Sequence, residues 1–233
     1  SEGLSPARLH QNASKQIAAY PTVRVIEDQV TDVHKEQNLF SVFTDSGRHY
    51  RSECLILATG LQDQLPEIPG IWECWGKSVV HCPYCHGYEY KGARTAVLAT
   101  GDKDVHIISL LKQWTKKLQV FLPINHALSQ RFLDFLRQEK IRITEGQITT
   151  LHQQQGVLQS ITFLKRTRKT ATVPMDVLYL MPAIQQSLDL QKSLGYLLDG
   201  SGLISVDEGR RTSVPGLYAV GDNRCRFRSL SQA

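Results

Sequence analysis

The segment His81-Cys82-Pro83-Tyr84-Cys85-His86-Gly87-Tyr88-Glu89 holds two cysteines two residues apart, with a histidine on either side. That spacing lets the sulfurs close a short-range disulfide, and a neighbouring imidazole can move the proton that each redox turn requires. Thiol–disulfide chemistry is therefore the first reading of this segment. Other chemistries share the spacing. Zinc usually needs a second pair of ligands at similar spacing, which Cys54, Cys74 and Cys225 do not supply in sequence, although His81 or His86 could contribute. Cys82-x-x-Cys85-His86 also meets the letter of the c-type haem attachment pattern, but export and a second axial ligand would be required and nothing else supports them. Against a pair of inert buried cysteines stand the polar flanks His81, His86 and Glu89.

Elements of two kinds surround the motif. Ser5 to Tyr20 reads as a helix with Ser5 as cap and Pro6 in the first turn. Short strand-like runs follow at Val23–Ile26, Leu39–Thr44 and Cys54–Leu57, a small antiparallel meander. Leu65-Pro66-Glu67-Ile68-Pro69-Gly70 reads as an inter-domain linker. Beyond the cysteines, Thr95–Ala99, Val105–Trp114 and Leu118–Leu122 follow a β-α-β order that argues for a parallel sheet. A helix over Phe132–Arg137 and a strand over Ile141–Thr144 come next. Strands over Val157–Leu164 and Thr172–Leu180 then flank the basic turn Lys165-Arg166-Thr167-Arg168-Lys169, most simply a solvated hairpin end.

The bulk numbers set bounds. The chain has 233 residues, is 41% hydrophobic and carries a net charge of +5. That is material for one large or two small domains, and the charge leaves no nucleic-acid footprint. Its apolar runs have core-strand length and are too short to span a bilayer, so no membrane role is expected. The opening Ser1-Glu2-Gly3-Leu4-Ser5-Pro6 reads as a helix entry within a fold. Five cysteines, of which only Cys82 and Cys85 form a motif, fit a reducing cytoplasm better than a disulfide-stapled secreted scaffold.

Two weaker signals bracket the pair. Leu55-Ile56-Leu57-Ala58-Thr59-Gly60 is an apolar strand ending where a backbone can approach a nucleotide closely. Val214-Pro215-Gly216-Leu217-Tyr218-Ala219-Val220-Gly221-Asp222 is a second apolar strand, stopping at Gly-Asp. In this order, with the cysteines between them, the chain resembles the low-molecular-weight thioredoxin reductases and their relatives over nearly all its length. The resemblance implies an α/β, two-domain flavoprotein fold. An FAD domain would be assembled from residues 1–76 and 186–233, with a smaller dinucleotide-fold domain at 77–185 inserted. It implies bound FAD, with Val30, Ala58, Thr59, Gly60, Gly221, Asp222, Gln232 and Ala233 as cofactor-binding residues. Asp222 would meet the ribityl hydroxyls, and Ser231-Gln232-Ala233 would open the helix facing the isoalloxazine ring. Cys85 would be the flavin-facing thiol and Cys82 the interchange thiol attacking the substrate disulfide. Where many thioredoxin reductases have an acid after the second cysteine, His86 stands here, as in the branch that contains dithiol oxidases. Imidazole titrates near neutrality, so His86 is the candidate to exchange the proton. The resemblance further implies thioredoxin or a small disulfide as partner, and a homodimer.

Two departures matter. The first nucleotide-binding strand with its Gly-x-Gly-x-x-Gly turn, the main FAD phosphate cradle, is absent from the sequence. In the inserted domain, the glycine-rich turn for NADPH is replaced by Ala99-Thr100-Gly101-Asp102-Lys103-Asp104, with two carboxylates where a pyrophosphate would sit. Pro123-Ile124-Asn125-His126 offers no arginine for a ribose 2′-phosphate, and Met181-Pro182 lacks the glycine of a later family turn. NAD(P)H is thus a doubtful donor, and ferredoxin, as in relatives that lost these motifs, is the expected replacement. Atypically bound NAD(P)H, a dithiol oxidase passing electrons to oxygen, and a binding protein that lost its flavin are the rival readings.

Overall fold

The computed structural model describes residues 4–124, 128–225 and 228. The chain divides into two compact units, Ser1–Leu61 with Gln186–Ala233, and Gln62–Gln185. Residues 62–76, grouped with the first segment by sequence, therefore pack with the second unit. The reason is visible locally. Leu65 and Ile68 of the expected linker pack against the second unit's core, and Leu151 donates its amide to the Pro69 carbonyl at 2.9 Å.

In the first unit, helix α1 (Pro6–Ile17) starts where Ser5 accepts the Arg8 amide at 3.3 Å. The expected strand at Val23–Ile26 joins no ladder, and Val23, Val25 and Ile26 stay exposed. The meander is built instead from β1 (Val30–Glu36), β2 (Leu39–Thr44) and β3 (His49–Ser52), antiparallel throughout. Strand β1 is hard to see in sequence because only Val33 is fully buried, while Asp32, His34 and Lys35 dilute the alternation. The run expected at Cys54–Leu57 is β4 (Leu55–Leu57), and it leaves the meander. It pairs in parallel with β14 (Leu217–Ala219), joining the two ends of this unit. Phe40, Leu57, Tyr196, Leu217 and Ala219 share one buried cluster with residues around α6 (Gln191–Leu194).

In the second unit, a seven-stranded sheet runs β11-β10-β9-β8-β7-β12-β6. Its parallel part is β6 (Val79–Val80), β12 (Val177–Leu180), β7 (Thr95–Leu98), β8 (Leu118–Leu122) and the start of β9 (Arg142–Gln154). Helix α4 (Asp104–Trp114) connects β7 to β8, and α5 (Gln130–Gln138) connects β8 to β9, as the β-α-β reading expects. All five residues of β8 are buried, which marks a strand covered on both faces. One cover is α4 and α5, through Ile107, Ile108, Leu111, Phe132 and Leu136. The other is the long β9–β10 (Val157–Lys165) hairpin with α2 (Ile71–Cys74). The strand expected at Thr172–Leu180 is two strands, β11 (Thr170–Pro174) and β12. It breaks at Met175-Asp176, where the chain leaves its antiparallel partner and Asp176 binds the Arg94 amide at 2.8 Å. The basic turn closes the β10–β11 hairpin, with Arg168 at φ 61°. Where the chain passes between the units, β5 (Leu61–Gln64) and β13 (Ala183–Gln186) pair with each other.

Candidate redox site and cofactor-binding residues

Strand β6 delivers the cysteines. Val79 and Val80 are buried beside β12, and Ser78 just before them donates to the Gly156 carbonyl at 2.7 Å and accepts the Leu158 amide at 2.9 Å. Leaving the strand, Cys82 stays extended (φ −115°, ψ 110°) and caps the single turn α3 (Pro83–His86). Proline fits its first position, where no intrahelical donor is needed. The turn is tied by Cys85 and His86 amides, both donating to the Cys82 carbonyl, at 3.2 and 3.1 Å. It sets the Cys85 thiol to donate to the Cys82 sulfur at 2.8 Å. Cys82 is half-buried and Cys85 exposed.

Although Cys85 lies on the open side of the turn, its thiol is pushed up to about 11. Desolvation of the sulfur comes first, then the hydrogen bond and charge of Cys82, then the Glu89 carboxylate. His86 has its Nδ1 buried with no hydrogen-bond partner among the described residues. Gly87 follows because nothing larger fits: a Cβ there would stand 2.4 Å from the Pro83 carbonyl oxygen and 2.5 Å from Trp114 Nε1.

Several neighbours of the pair carry no sequence signal. Tyr84, between the cysteines, meets His106 of α4 at 3.0 Å between Oη and Nε2. Tyr88 sets its ring edge-on to Trp114, and His81 tilts over Trp75. The other cysteines stand apart: Cys54 exposed, Cys74 fully buried, Cys225 half-buried. Among the described residues no three of His, Cys, Asp and Glu gather to hold a metal. No described helix is long and apolar enough to cross a membrane.

At the carboxyl end of β7 the nucleotide turn is filled by its own side chain. Asp104 is 1% exposed, and its Oδ2 accepts the Thr100 amide at 2.6 Å, the Gly101 amide at 3.1 Å and the Thr100 hydroxyl at 3.3 Å. Asp102 accepts Ser129 Oγ at 2.8 Å, from the residue that caps α5. The amides at this helix start, where a phosphate would bind, already hold a carboxylate. His126, part of the expected phosphate-binding gap, lies outside the described residues.

In the first unit, the proposed cofactor residues cluster at the carboxyl ends of β4 and β14. Ala58, Thr59 and Gly60 follow β4, and Gly221 and Asp222 open a 3₁₀ turn after β14. Gly221 takes φ +79° with open space around it. Asn223, fully buried, donates to the Leu57 carbonyl at 2.9 Å and to Thr59 Oγ1 at 3.2 Å, locking the two strand ends together. Its own Oδ1, and Oε1 of Gln186, are buried with no partner among the described residues. Two orphaned acceptors beside a half-exposed Asp222 carboxylate suit a hydroxyl-rich chain such as the ribityl of FAD. Val30 opens β1 and packs on the same unit's core. Gln232 and Ala233, with Ser231, lie outside the described residues.

The family model for pyridine nucleotide-disulphide oxidoreductases matches residues 4–233. The chain is 26% identical to thioredoxin reductase tcpT of Claviceps purpurea (strain 20.1), covering 98% of this chain and 74% of that protein. The solved structure of HlmI superposes with a TM-score of 0.87 at 28% identity, over 99% of this chain and 72% of that one. Thioredoxin reductase from Streptococcus pyogenes MGAS5005 shares the fold at a TM-score of 0.89 and 20% identity, over 100% of this chain and 78% of that one. The protein belongs to the pyridine nucleotide-disulphide oxidoreductase family, in its thioredoxin reductase-like branch of flavin-dependent enzymes acting on disulfides.

Proposed function

We propose that this protein is an FAD-dependent thiol–disulfide oxidoreductase that turns over through Cys82 and Cys85 without NADPH as its electron donor. The observation that carries the reading is the Cys82–Cys85 pair, 2.8 Å apart on one helical turn, with the Cys85 thiol held protonated. Cys82, as the thiolate, attacks one sulfur of the substrate disulfide, and the other substrate sulfur leaves and takes up a proton. Cys85 then gives up its proton and displaces the substrate from the mixed disulfide, leaving a Cys82–Cys85 disulfide and a substrate dithiol. His86 passes the Cys85 proton to one departing substrate thiolate, and the other takes its proton from solvent. FAD, when bound, supplies the two electrons that restore the dithiol. Ala58, Thr59, Gly60, Gly221 and Asp222 hold it, with Val30, Gln232 and Ala233 as the further family positions.

The self-filled turn at Asp104 supports a donor other than a pyridine nucleotide, with ferredoxin or a similar one-electron protein in its place. Relatives named thioredoxin reductase support thioredoxin, or a small disulfide, as acceptor. The same kinship extends the proposal to a cytoplasmic homodimer.

The test is a visible absorption spectrum of the purified full-length protein, then anaerobic titration with NADPH and with reduced ferredoxin. A flavin band bleached by ferredoxin and untouched by NADPH is expected. Rapid bleaching by NADPH would overturn the donor assignment, peroxide release with a dithiol would reverse the direction, and no flavin band would remove the enzyme reading.

A further inference from the structure

The second unit carries a cleft of about 540 Å³ beneath the amino ends of β7, β8 and β9. Arg94, Lys116, Lys117, Lys140 and Arg142 line it, with no carboxylate in the lining. Arg94 is neutralised by Asp176, through Nε at 3.1 Å. Of the other four, Lys117 also lies in the field of the Asp176 carboxylate, while Lys116, Lys140 and Arg142 make no ion pair among the described residues. Five cations around one carboxylate leave an excess of positive charge, and an anionic ligand would relieve the repulsion among them.

What kind of anion follows from the surroundings. Lys116, Lys117, Lys140 and Arg142 are all exposed, and the buried polar side chain in the lining, Gln119, already gives its amide to Thr144 Oγ1 at 2.7 Å, so the cleft offers few fixed donors to a small molecule. It is also connected to the redox turn. Lys116 and Lys117 follow Trp114, whose ring packs on Gly87 and Tyr88 and whose carbonyl accepts the Gly92 amide at 2.9 Å. Helix α4 links the two places: His106 near its start meets Tyr84, and Trp114 ends it. Eleven residues make that helix about 16 Å long. Beside the cysteines, Tyr84 and Tyr88 are 72% and 75% exposed, aromatic anchors of the type that dominate protein interfaces. A protein patch of about 800 Å², roughly 30 Å across, spans tyrosines and cleft together. A small disulfide does not.

We infer that the Arg94–Arg142 cleft is a docking site for an acidic protein that carries the substrate disulfide, orienting it so that Tyr84, Tyr88 and Cys82 meet its redox face. The inference rests on the disulfide-reductase reading above. Rim charges of this kind act on encounter rate and salt dependence more than on chemistry.

The test uses full-length, flavin-loaded protein whose flavin is reduced with dithionite, so the natural donor is not involved. Oxidised acidic thioredoxin and the small neutral hydroxyethyl disulfide are compared as acceptors, in wild type and in the triple variant Lys116→Glu, Lys117→Glu, Arg142→Glu. The variant should react about tenfold more slowly with thioredoxin and normally with hydroxyethyl disulfide. Added salt should slow the wild-type thioredoxin reaction alone. Equal rates of both proteins on thioredoxin, or equal losses on both acceptors, would overturn the docking site. Failure of wild type to reduce either acceptor would instead overturn the reductase reading. Thioredoxin binding by fluorescence anisotropy then decides the cleft independently: binding lost in the variant supports it. Binding unchanged in the variant, or a cleft that saturates with inorganic tripolyphosphate and ignores thioredoxin, counts against it.

Discussion

The buried carboxylate of Asp104 accepts the backbone amide of Thr100 at 2.6 Å, bending the first residue of α4 back onto the turn that precedes it. Gly101 and the Thr100 hydroxyl donate to the same oxygen. Removing the carboxylate strands buried donors, and each unmet group costs about 1–3 kcal/mol. Asp104→Ala should therefore lower the urea midpoint with the m-value unchanged, while NADPH leaves the melting temperature of both proteins where it was. An NADPH-dependent rise in wild-type melting temperature would show that the carboxylate swings out of the way.

The two thiols should separate by pH. The Cys85 thiol stands near 11 because its sulfur is desolvated and bonded to Cys82. Alkylation proceeds through the thiolate. At pH 8 only on the order of one Cys85 in a thousand is ionised, against a far larger fraction in the unfolded chain. Iodoacetamide labelling of Cys85 in the reduced protein, followed by mass spectrometry, should stay slow until the pH nears 11. Cys82→Ala removes two of the causes and should speed it at pH 8. The sign for stability is the same: the raised value favours the folded protein below the unfolded thiol's value, and that advantage fades as the pH climbs towards 11.

Gly87 is held by contact. The space its Cβ would need is taken by the Pro83 carbonyl and the Trp114 indole, one backbone and one rigid ring. Gly87→Ala should force the turn or the indole to move, costing about 1–3 kcal/mol as overpacking does. Tryptophan emission should shift and the rate of Cys82–Cys85 disulfide formation should fall together. A variant that melts normally and oxidises normally would mean the turn has slack.

Much of this was readable in advance where chemistry or periodicity is local. The cysteine spacing, the β-α-β order around α4, the Ser5 cap and the strand ends at Thr59-Gly60 and Gly221-Asp222 all rest on neighbours in sequence. Partners distant in sequence were not legible. Strand β4 looks like one more meander strand until β14, some 160 residues on, claims it in parallel. Val23, Val25 and Ile26 have strand-forming side chains, yet β propensity forms no strand without a ladder. Asn223 directly follows the Gly-Asp signal and could have been suspected as a lock on β4. Nothing in the sequence marks His106 or Trp114, because each gains its place from a helix packed beside the redox turn.

Tyr179 offers the last prediction. It lies on β12 opposite Val80, two residues before Cys82, and is 1% exposed. Its hydroxyl is buried with no hydrogen-bond partner among the described residues. Burial holds the phenol well above its usual range, and the negative charges available to Tyr90, Cys82, Glu89 and Cys85 add to that. Ionisation is thus closed to it, and as a neutral group it still lacks an acceptor. A buried hydroxyl in that condition costs stability that its apolar isostere does not. Tyr179→Phe should raise the free energy of unfolding by about 1 kcal/mol, read from urea unfolding of the reduced protein. A loss of similar size would mean that the hydroxyl does find an acceptor, and the sulfur of Cys82, whose charge acts on this phenol, is the first to examine by its alkylation rate in the variant.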